Sequence, residues 1–256
     1  MIKLKTISLS EKINKEATIG DAEQLSILIA QSKKPTNFNI TLFLASENGH
    51  SECVKFLIPL SNPKNKNSEA LRIASLKGHT ECVKLLIPVS NPKADNSYAL
   101  RLASFGGHVE SVKLLIPVSD PKASESEALR FASDLDHVEC VKLLIPFSSP
   151  KDANSKALSW ASASGHDECV KLLIPVSAPK DNESDALRCA AINNHTKCVK
   201  LLLPHSDILT WDSDDWSIMS SNMQSLIKSY YSKLSLEQNV LPINDQISII
   251  KKLHKI

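Results

Sequence analysis

Glycine is scarce in this chain, and neither sign of charge clearly exceeds the other. Only 6 of the 256 residues are glycine, against 13 prolines. Lysine and arginine together number 30 and aspartate and glutamate 28, so the formal net charge is +2. Such a balance provides no broad basic field for the phosphates of a nucleic acid. We therefore expect no nucleic-acid partner.

Long apolar runs are missing as well. No run approaches the roughly 20 residues that a membrane-spanning helix needs, and residues 1–10 contain lysines but no continuous apolar segment of a secretory signal. The chain also lacks the G-x-G-x-x-G pattern and a phosphate-binding loop. We expect a protein of the cytoplasm without membrane attachment and without a cofactor.

A period of 29 residues dominates the sequence that is present. Histidine recurs at this interval within nearly unchanged surroundings, at His50, His79, His108, His137, His166 and His195. Self-similarity at a fixed period indicates a repeat protein, in which each unit packs only against its neighbours. The period places six full repeats in residues 38–206. Gly20 lies one period of 29 residues before Gly49, so residues 1–37 are predicted to form a degenerate N-terminal capping repeat.

Each repeat is predicted to contain two helices joined by a tight turn. Ser68 precedes the first apolar run of the second repeat and is expected to be the N-cap of a helix over about 69–77. The turn position holds Gly, Asp or Asn in every repeat, and these are the residues that tolerate a left-handed backbone. A recurrent proline, Pro88 in this repeat, is expected to end the second helix.

Two further positions hold small residues. One position of helix one is alanine in all six repeats: Ala45, Ala74, Ala103, Ala132, Ala161 and Ala190. We expect the first helices of neighbouring repeats to approach each other closely at this position. Five of the six cysteines share one position of helix two, namely Cys53, Cys82, Cys140, Cys169 and Cys198. Neighbouring helices lie about 8–10 Å apart, beyond the Cα separation of roughly 7 Å that a disulfide allows. The thiols are therefore expected to be free and buried.

The repeated core resembles the ankyrin repeat. It runs A-L-x-x-A-S-x-x-G-H-x-E-C-V-K-L-L-I, beside the ankyrin consensus T-P-L-H-x-A-A-x-x-G-H-x-x-V-V-x-L-L-L. The resemblance covers about residues 38–206 and implies an all-α, ankyrin-like α-solenoid of helix-turn-helix repeats. Each repeat has 29 residues instead of the usual length of about 33. The loss falls between Ile87 and Leu100, so the β-hairpin fingers are expected to be shortened or absent.

The histidine and cysteine rows raise the alternative of a metal-binding protein or an enzyme. Zinc needs four ligands at about 2.0–2.3 Å, whereas copies in successive repeats stand a helix spacing apart. Nucleophilic catalysis needs a unique Cys–His pair with an orienting group, whereas this pair is copied five times. We expect no metal site and no catalytic residue. The histidines are instead expected to satisfy backbone groups at the turns, as the ankyrin resemblance implies.

The resemblance implies non-catalytic protein–protein binding through the concave face of the stack. The candidate contact residues occupy positions that differ between repeats, mostly just after the Ala-Ser pair: Glu47, Asn48, Leu76, Lys77, Tyr98, Phe105, Asp134, Leu135 and Ile192. We expect a monomer that binds another protein. An arginine row, Arg72, Arg101, Arg130 and Arg188, raises the further hypothesis of contact with an anion or an acidic peptide.

Residues 207–256 break the period and are predicted to form a helical C-terminal cap. One helical face is expected along Trp216, Met219, Met223, Ile227, Tyr230 and Leu234, and a second along Ile243, Ile247, Ile250 and Leu253. Leu241-Pro242 followed by spaced Ile and Leu resembles the start of an F-box, so an adaptor that recruits a second protein through these helices is an alternative. Shortened, proline-interrupted arrays resemble those of large viruses and intracellular bacteria, which would place the protein in a host cytosol.

Overall fold

The computed structural model describes residues 8–32, 37–208 and 211–237, with side chains as far as residue 234. Within these ranges every regular element is helical and no strand is present. The ankyrin-like α-solenoid is therefore confirmed, and β-hairpin fingers are absent from the described ranges. The chain divides into two compact units, Met1–Ala128 and Leu129–Ile256.

Unit 1 consists of successive antiparallel helix pairs. Its helices are α1 (Leu9–Ile19), α2 (Ala22–Ala30), α3 (Asn39–Glu47), α4 (Ser51–Leu57), α5 (Asn65–Lys77), α6 (Thr80–Leu86), α7 (Ala94–Phe105) and α8 (Val109–Leu115), followed by α9 (Ala123–Asp134), whose last residues belong to unit 2. The first helices of consecutive repeats, such as α5 and α7, pack against each other. They form one layer, and the second helices form another.

Unit 2 continues the same pattern and ends in two helices outside the period. Its helices are α10 (Val138–Leu144), α11 (Asp152–Ala163), α12 (Asp167–Leu173), α13 (Asp181–Ile192), α14 (Thr196–Leu202), α15 (Ser213–Ser217) and α16 (Ser221–Glu237). The division of the chain into residues 1–37, 38–206 and 207–256 stays a prediction.

The turns have the predicted backbone. All six turn residues have left-handed φ angles between 57° and 80°: Gly49, Gly78, Gly107, Asp136, Gly165 and Asn194. At Gly78 a second constraint applies, because a Cβ atom there would press into the imidazole ring of His108. The prolines also act as predicted. Helix α6 ends at Leu86, and a single 3₁₀ turn, Ile87–Val89, contains Pro88.

The N-cap prediction for the serines is wrong. Lys66, Asn67 and Ser68 all have positive φ (45°, 57° and 61°), and the right-handed part of α5 begins only after them. A capping residue needs an extended backbone, whereas this left-handed turn directs the serine side chain away from its own helix. The Ser68 hydroxyl, in a residue only 1% exposed, accepts a 2.8 Å hydrogen bond from the backbone N–H of Asn91, in the loop that leads to the next repeat.

The same bond recurs in both units. Its further members are Ser97 with the N–H of Asp120 (2.8 Å), Ser155 with that of Ala178 (3.0 Å) and Ser184 with that of Asp207 (2.8 Å). In the first repeat, the side-chain oxygen of Asn39 accepts from the N–H of Asn62 at 2.7 Å. In these repeats a side-chain acceptor at the start of helix one is therefore tied to the loop that follows helix two.

The core is built from the invariant positions. The six alanines of helix one are all 0% exposed, as expected for a close helix contact. The conserved leucines of helix one are 0–1% exposed: Leu42, Leu71, Leu100, Leu129, Leu158 and Leu187. Full burial of such a side chain contributes about 1.5–3 kcal/mol. The buried residues that are the same in every repeat therefore each contribute substantially to stability.

The described part of residues 207–256 packs on the last repeat within unit 2. The indole N–H of Trp211 donates to the carbonyl oxygen of Glu183 at 2.9 Å, and Trp211 meets Trp216 edge to face with ring centroids 5.8 Å apart. Tyr231, 6% exposed, is the buried tyrosine, not Tyr230 as predicted from spacing. Within α16 the buried residues Met223, Ile227 and Tyr231 are four residues apart, so the buried face follows this spacing and Tyr230 lies beside it. The predicted second face, Ile243 to Leu253, lies outside the described residues.

Candidate partner-binding face

The exposed side of the first helices in unit 1 contains an apolar depression, called here the unit 1 groove. Its volume is about 240 Å³, and it is lined by Phe43, Glu69, Arg72, Ile73, Leu76, Tyr98 and Leu102. These residues come from α3, α5 and α7, which pack side by side. Five of the seven are apolar or aromatic, and all seven are half-buried. The groove is therefore a partly hydrated apolar surface and not part of the core.

Two of the predicted contact residues, Leu76 and Tyr98, meet in this groove. Phe105, at the end of α7, is 46% exposed. Glu47 is half-buried, and Asn48 and Lys77 are exposed at the ends of α3 and α5. The structure therefore places all the predicted unit 1 residues at least partly at the surface, but it joins only Leu76 and Tyr98 in one depression.

The predicted contact residues of unit 2 include a charged side chain where unit 1 has apolar ones. Asp134 is half-buried and accepts a 2.9 Å hydrogen bond from the Ser164 hydroxyl. Leu135 is 39% exposed, but it lies one residue beyond the position that Leu76 and Phe105 occupy in their repeats, and Asp134 is their counterpart. Ile192 is half-buried. The apolar row of unit 1 thus does not continue unchanged in unit 2.

Four residues of the groove were missed by the sequence reasoning. Phe43, Glu69, Ile73 and Leu102 come before the Ala-Ser pair, whereas the prediction considered mainly the positions after it. The signal was available in the helical period, because residues three, four and seven apart share one face of a helix. Ile40, Phe43 and Glu47 have this spacing on α3, and Ile40 is 65% exposed.

The arginines at the groove are engaged within the chain. The Arg72 guanidinium donates to the carbonyl oxygen of Lys66 at 3.0 Å and to the Asp95 carboxylate at 3.3 Å. Arg101 donates to the Asp95 carbonyl oxygen at 3.1 Å and forms an ion pair with Glu127. Tyr98 lies beside both, with its ring centroid 5.5 Å and 4.7 Å from their guanidinium carbons. Arg72 and Arg101 are thus already engaged by carboxylates of the chain, and contact of the arginine row with an anion or an acidic peptide stays a prediction.

The histidine row has the predicted structural role. In each repeat for which the contact is described, the Nε2 atom lies 2.8–2.9 Å from a carbonyl oxygen of the preceding repeat: His50 with Thr18, His79 with Glu47, His108 with Leu76, His166 with Asp134 and His195 with Ala163. A carbonyl oxygen only accepts, so Nε2 donates. These bonds satisfy carbonyl groups that the end of helix one leaves without an intrahelical partner.

The cysteines behave as buried apolar residues. All six are free, five are buried and Cys189 is half-buried. Burial raises the pKa of Cys82, Cys140 and Cys198 to about 11, and burial together with Asp136 raises that of Cys169 to about 12. A reactive cysteine needs a lowered pKa. Among the described residues, no three His, Cys, Asp or Glu side chains converge as a metal site would require.

The outer helices carry compensated charges. Lys113 pairs with Glu110 and Lys142 with Glu139, each at 2.6 Å, on α8 and α10. All four side chains are about half exposed or more, so each pair contributes only about 0.2–1 kcal/mol. The lysine side of these two second helices is therefore a solvated face.

These features define a class, a helical repeat protein whose variable residues line the exposed side of its first helices. A family model for ankyrin repeats (3 copies) matches residues 16–98, 42–124 and 129–212, and the chain belongs to the ankyrin repeat family. The crystal structure of the human ASB11 ankyrin repeat domain is similar, with a TM-score of 0.56 and 21% identity over 68% of this chain and 95% of that chain. At this identity the likeness concerns the fold. No curated protein matches the chain.

Ankyrin repeats are in general protein–protein interaction modules and are typically non-enzymatic. None of the helices in the described ranges is both long enough and apolar enough to cross a membrane.

Proposed function

We propose that this chain binds another protein without catalysis, through the exposed side of its first helices, which the resemblance predicts to be concave. The observation that supports this most is the unit 1 groove with Phe105 beside it. A contiguous apolar surface is costly in water, and on a folded monomer it marks an interaction site more often than a scattered exposed residue does. On the second helices α8 and α10, by contrast, Lys113 and Lys142 are paired with Glu110 and Glu139 and lie in solvent.

The proposed function includes a cellular setting and an assembly state. Buried free thiols suit a reducing compartment, so we propose that the protein acts in the cytoplasm, and as a monomer. We also propose that residues 207–256 cap the last repeat. Trp211, Trp216 and Met223 are at most 3% exposed, so this segment covers apolar surface that would otherwise meet water. The adaptor role through these C-terminal helices stays an alternative, and the F-box-like residues Leu241 and Pro242 lie outside the described ranges.

A comparison of two double variants tests the binding face. Leu76→Ala with Phe105→Ala removes apolar groups from the face, and Lys84→Ala with Lys113→Ala removes two charges from the outer helices. Proteins captured from cytosol by each tagged variant are quantified by mass spectrometry, and the main one is purified for calorimetry. Aromatic anchors at interfaces often contribute about 2 kcal/mol or more, so the apolar pair should weaken binding about 30-fold or more.

The lysine pair should change the affinity by less than about fivefold, as expected for exposed charges. Circular dichroism should show unchanged helicity for both variants. Loss of binding in the lysine variant alone would place the site on the outer helices and contradict the proposal.

A further inference from the structure

The unit 1 groove adjoins a second, more polar depression. The second one has a volume of about 430 Å³ and is lined by Asn37, Asn39, Ile40, Phe43, Asn65, Lys66 and Glu69. Phe43 and Glu69 line both depressions. The two therefore form a continuous surface, apolar at one end and rich in side-chain amides at the other, with a carboxylate where they meet.

The apolar end has the size and lining of a pocket for one side chain. Its 240 Å³ lies below the range of about 300–1,000 Å³ typical of sites for small molecules. Phe43, Ile73 and Leu102 provide its apolar walls, and Tyr98 provides an aromatic face. Tyr98 is held in place by the guanidinium groups of Arg72 and Arg101 on α5 and α7. A preformed aromatic face of this kind reduces the ordering cost of binding.

The charge available at the junction is negative. Arg72 lines the groove, but its guanidinium is already occupied by Asp95, by the Lys66 carbonyl oxygen and by Tyr98. The described ion-pair partner of Glu69 is Lys66, at 3.3 Å, and the Lys66 side chain is 69% exposed. An exposed pair of this kind is weak, so an incoming cation can take the place of Lys66.

The amide end offers hydrogen-bond donors. The side-chain oxygen of Asn39 accepts from the N–H of Asn62 at 2.7 Å, and that of Asn37 accepts from the N–H of Asn39 at 2.9 Å. Because the side-chain oxygens of Asn37 and Asn39 accept from backbone N–H groups, the NH₂ group of each side chain points away from those bonds. An NH₂ group only donates. Backbone carbonyl groups of an extended peptide are the acceptors that match it.

We infer that the unit 1 surface takes an extended segment of the partner protein that presents one large apolar side chain next to a lysine or arginine. The apolar side chain fills the unit 1 groove, the cation meets Glu69, and the peptide carbonyls accept from the asparagine amides. The inference rests on the proposed function and deepens it by specifying the chemistry of the partner.

Short capped peptides of glycine and serine that contain Trp-Lys, Ala-Lys or Trp-Glu test the inference on the full chain. Binding is followed by chemical-shift titration of the methyl groups of Ile73, Leu76 and Leu102. The Trp-Lys peptide should shift these methyl groups selectively. The Ala-Lys peptide should bind at least about tenfold more weakly, since it lacks the buried side chain. The Trp-Glu peptide should bind about two- to fivefold more weakly, the range expected for an exposed ion pair.

Glu69→Gln should abolish the preference for Trp-Lys over Trp-Glu, and the matched variant Glu81→Gln on α6 should retain it. Tighter binding of Trp-Glu, equal binding of Ala-Lys, or an absence of shifts at the three residues with every peptide would overturn the inference. The proposed function would survive such a result if captured protein still depended on Leu76 and Phe105. Peptide binding without any such protein would support the pocket and contradict the proposed function.

Discussion

Helices α5 and α6 of the second repeat pack together, but their sequences vary differently among repeats. On α6, Val83 and Leu86 are 0% exposed and recur unchanged in all six repeats. On α5, Leu71 recurs in the same way, whereas Leu76 is replaced in the other repeats by Glu, Phe, Asp, Ala or Ile. Leu76 is half-buried and lines the unit 1 groove. The sequence of the second helix is thus nearly the same in every repeat, whereas the sequence of the first helix is repeated only on its buried side.

This difference between the two helices indicates why some positions hold the same residue in every repeat and others vary. A residue that contacts the adjacent repeats meets the same neighbours each time, so the same side chain fits best. A residue on the exposed side of helix one meets no such fixed neighbour, and its identity is free to follow a partner. The comparison predicts that variants at repeated positions change stability and that variants at varying positions change binding.

The largest expected effect is that of Leu100→Ala. Leu100 is 0% exposed on α7, and truncating such a leucine typically lowers the free energy of unfolding by about 2–5 kcal/mol. Leu102→Ala, two residues along the same helix but half-buried in the groove, should lower it by less than about 1.5 kcal/mol. Urea denaturation of both variants tests the difference. Equal losses would show that the groove residue is also part of the core.

Overpacking should have a smaller effect, in the same direction. Ala103 is 0% exposed, so Ala103→Leu should lower the free energy of unfolding by about 1–3 kcal/mol. Ala163 occupies the varying position of Leu76 and is half-buried, and Ala163→Leu should change it by less than about 0.5 kcal/mol. Thermal denaturation of both variants measures this. An unchanged midpoint for Ala103→Leu would mean that the first helices do not meet closely there.

The smallest effect at neutral pH is expected for Cys140→Val, which should change the free energy of unfolding by less than about 1.5 kcal/mol. Burial raises the pKa of Cys140 from 9.0 to about 11. Between these values the folded chain holds a proton that the unfolded chain has lost, so stability is full below about pH 9 and falls as the pH rises towards about 11. Cys140→Val should reduce this fall, measured by urea denaturation at about pH 7 and pH 10.

Ser111 occupies the cysteine position in its own repeat, and Ser111→Cys should steepen the loss of stability at high pH. Identical pH dependences of the wild type and both variants would show that these thiols do not govern it.

Much of the fold could be predicted because its determinants are local. Gly78 and Pro88 specify a left-handed turn and a helix end through their own backbone restrictions, and both were identified correctly. The spacing of Cys82 and Val83 with the leucines of helix two likewise indicated which side is buried. These features need no knowledge of what lies in the next repeat.

The features that were missed depend on contacts distant in sequence. The partner of the Ser68 hydroxyl is the N–H of Asn91, 23 residues away, so a local motif suggested an N-cap instead. The left-handed turn at Lys66 contains no glycine to signal it. In the binding face, the cavity between α3, α5 and α7 joins Phe43 to Tyr98 only after the helices have packed. Exposure at single positions could be expected from variation, but the pocket could not.

Two kinds of hydrogen bond in unit 1 have the same direction along the chain. The Ser68 hydroxyl accepts from the N–H of Asn91, 23 residues later, and the carbonyl oxygen of Leu76 accepts from His108, 32 residues later. In both cases the acceptor is synthesised before its donor. As the chain emerges from the ribosome, each new first helix therefore carries acceptors that stay open until a later part of the chain supplies the donor. A repeat is thus complete only after its own following loop and the turn of the next repeat have been synthesised.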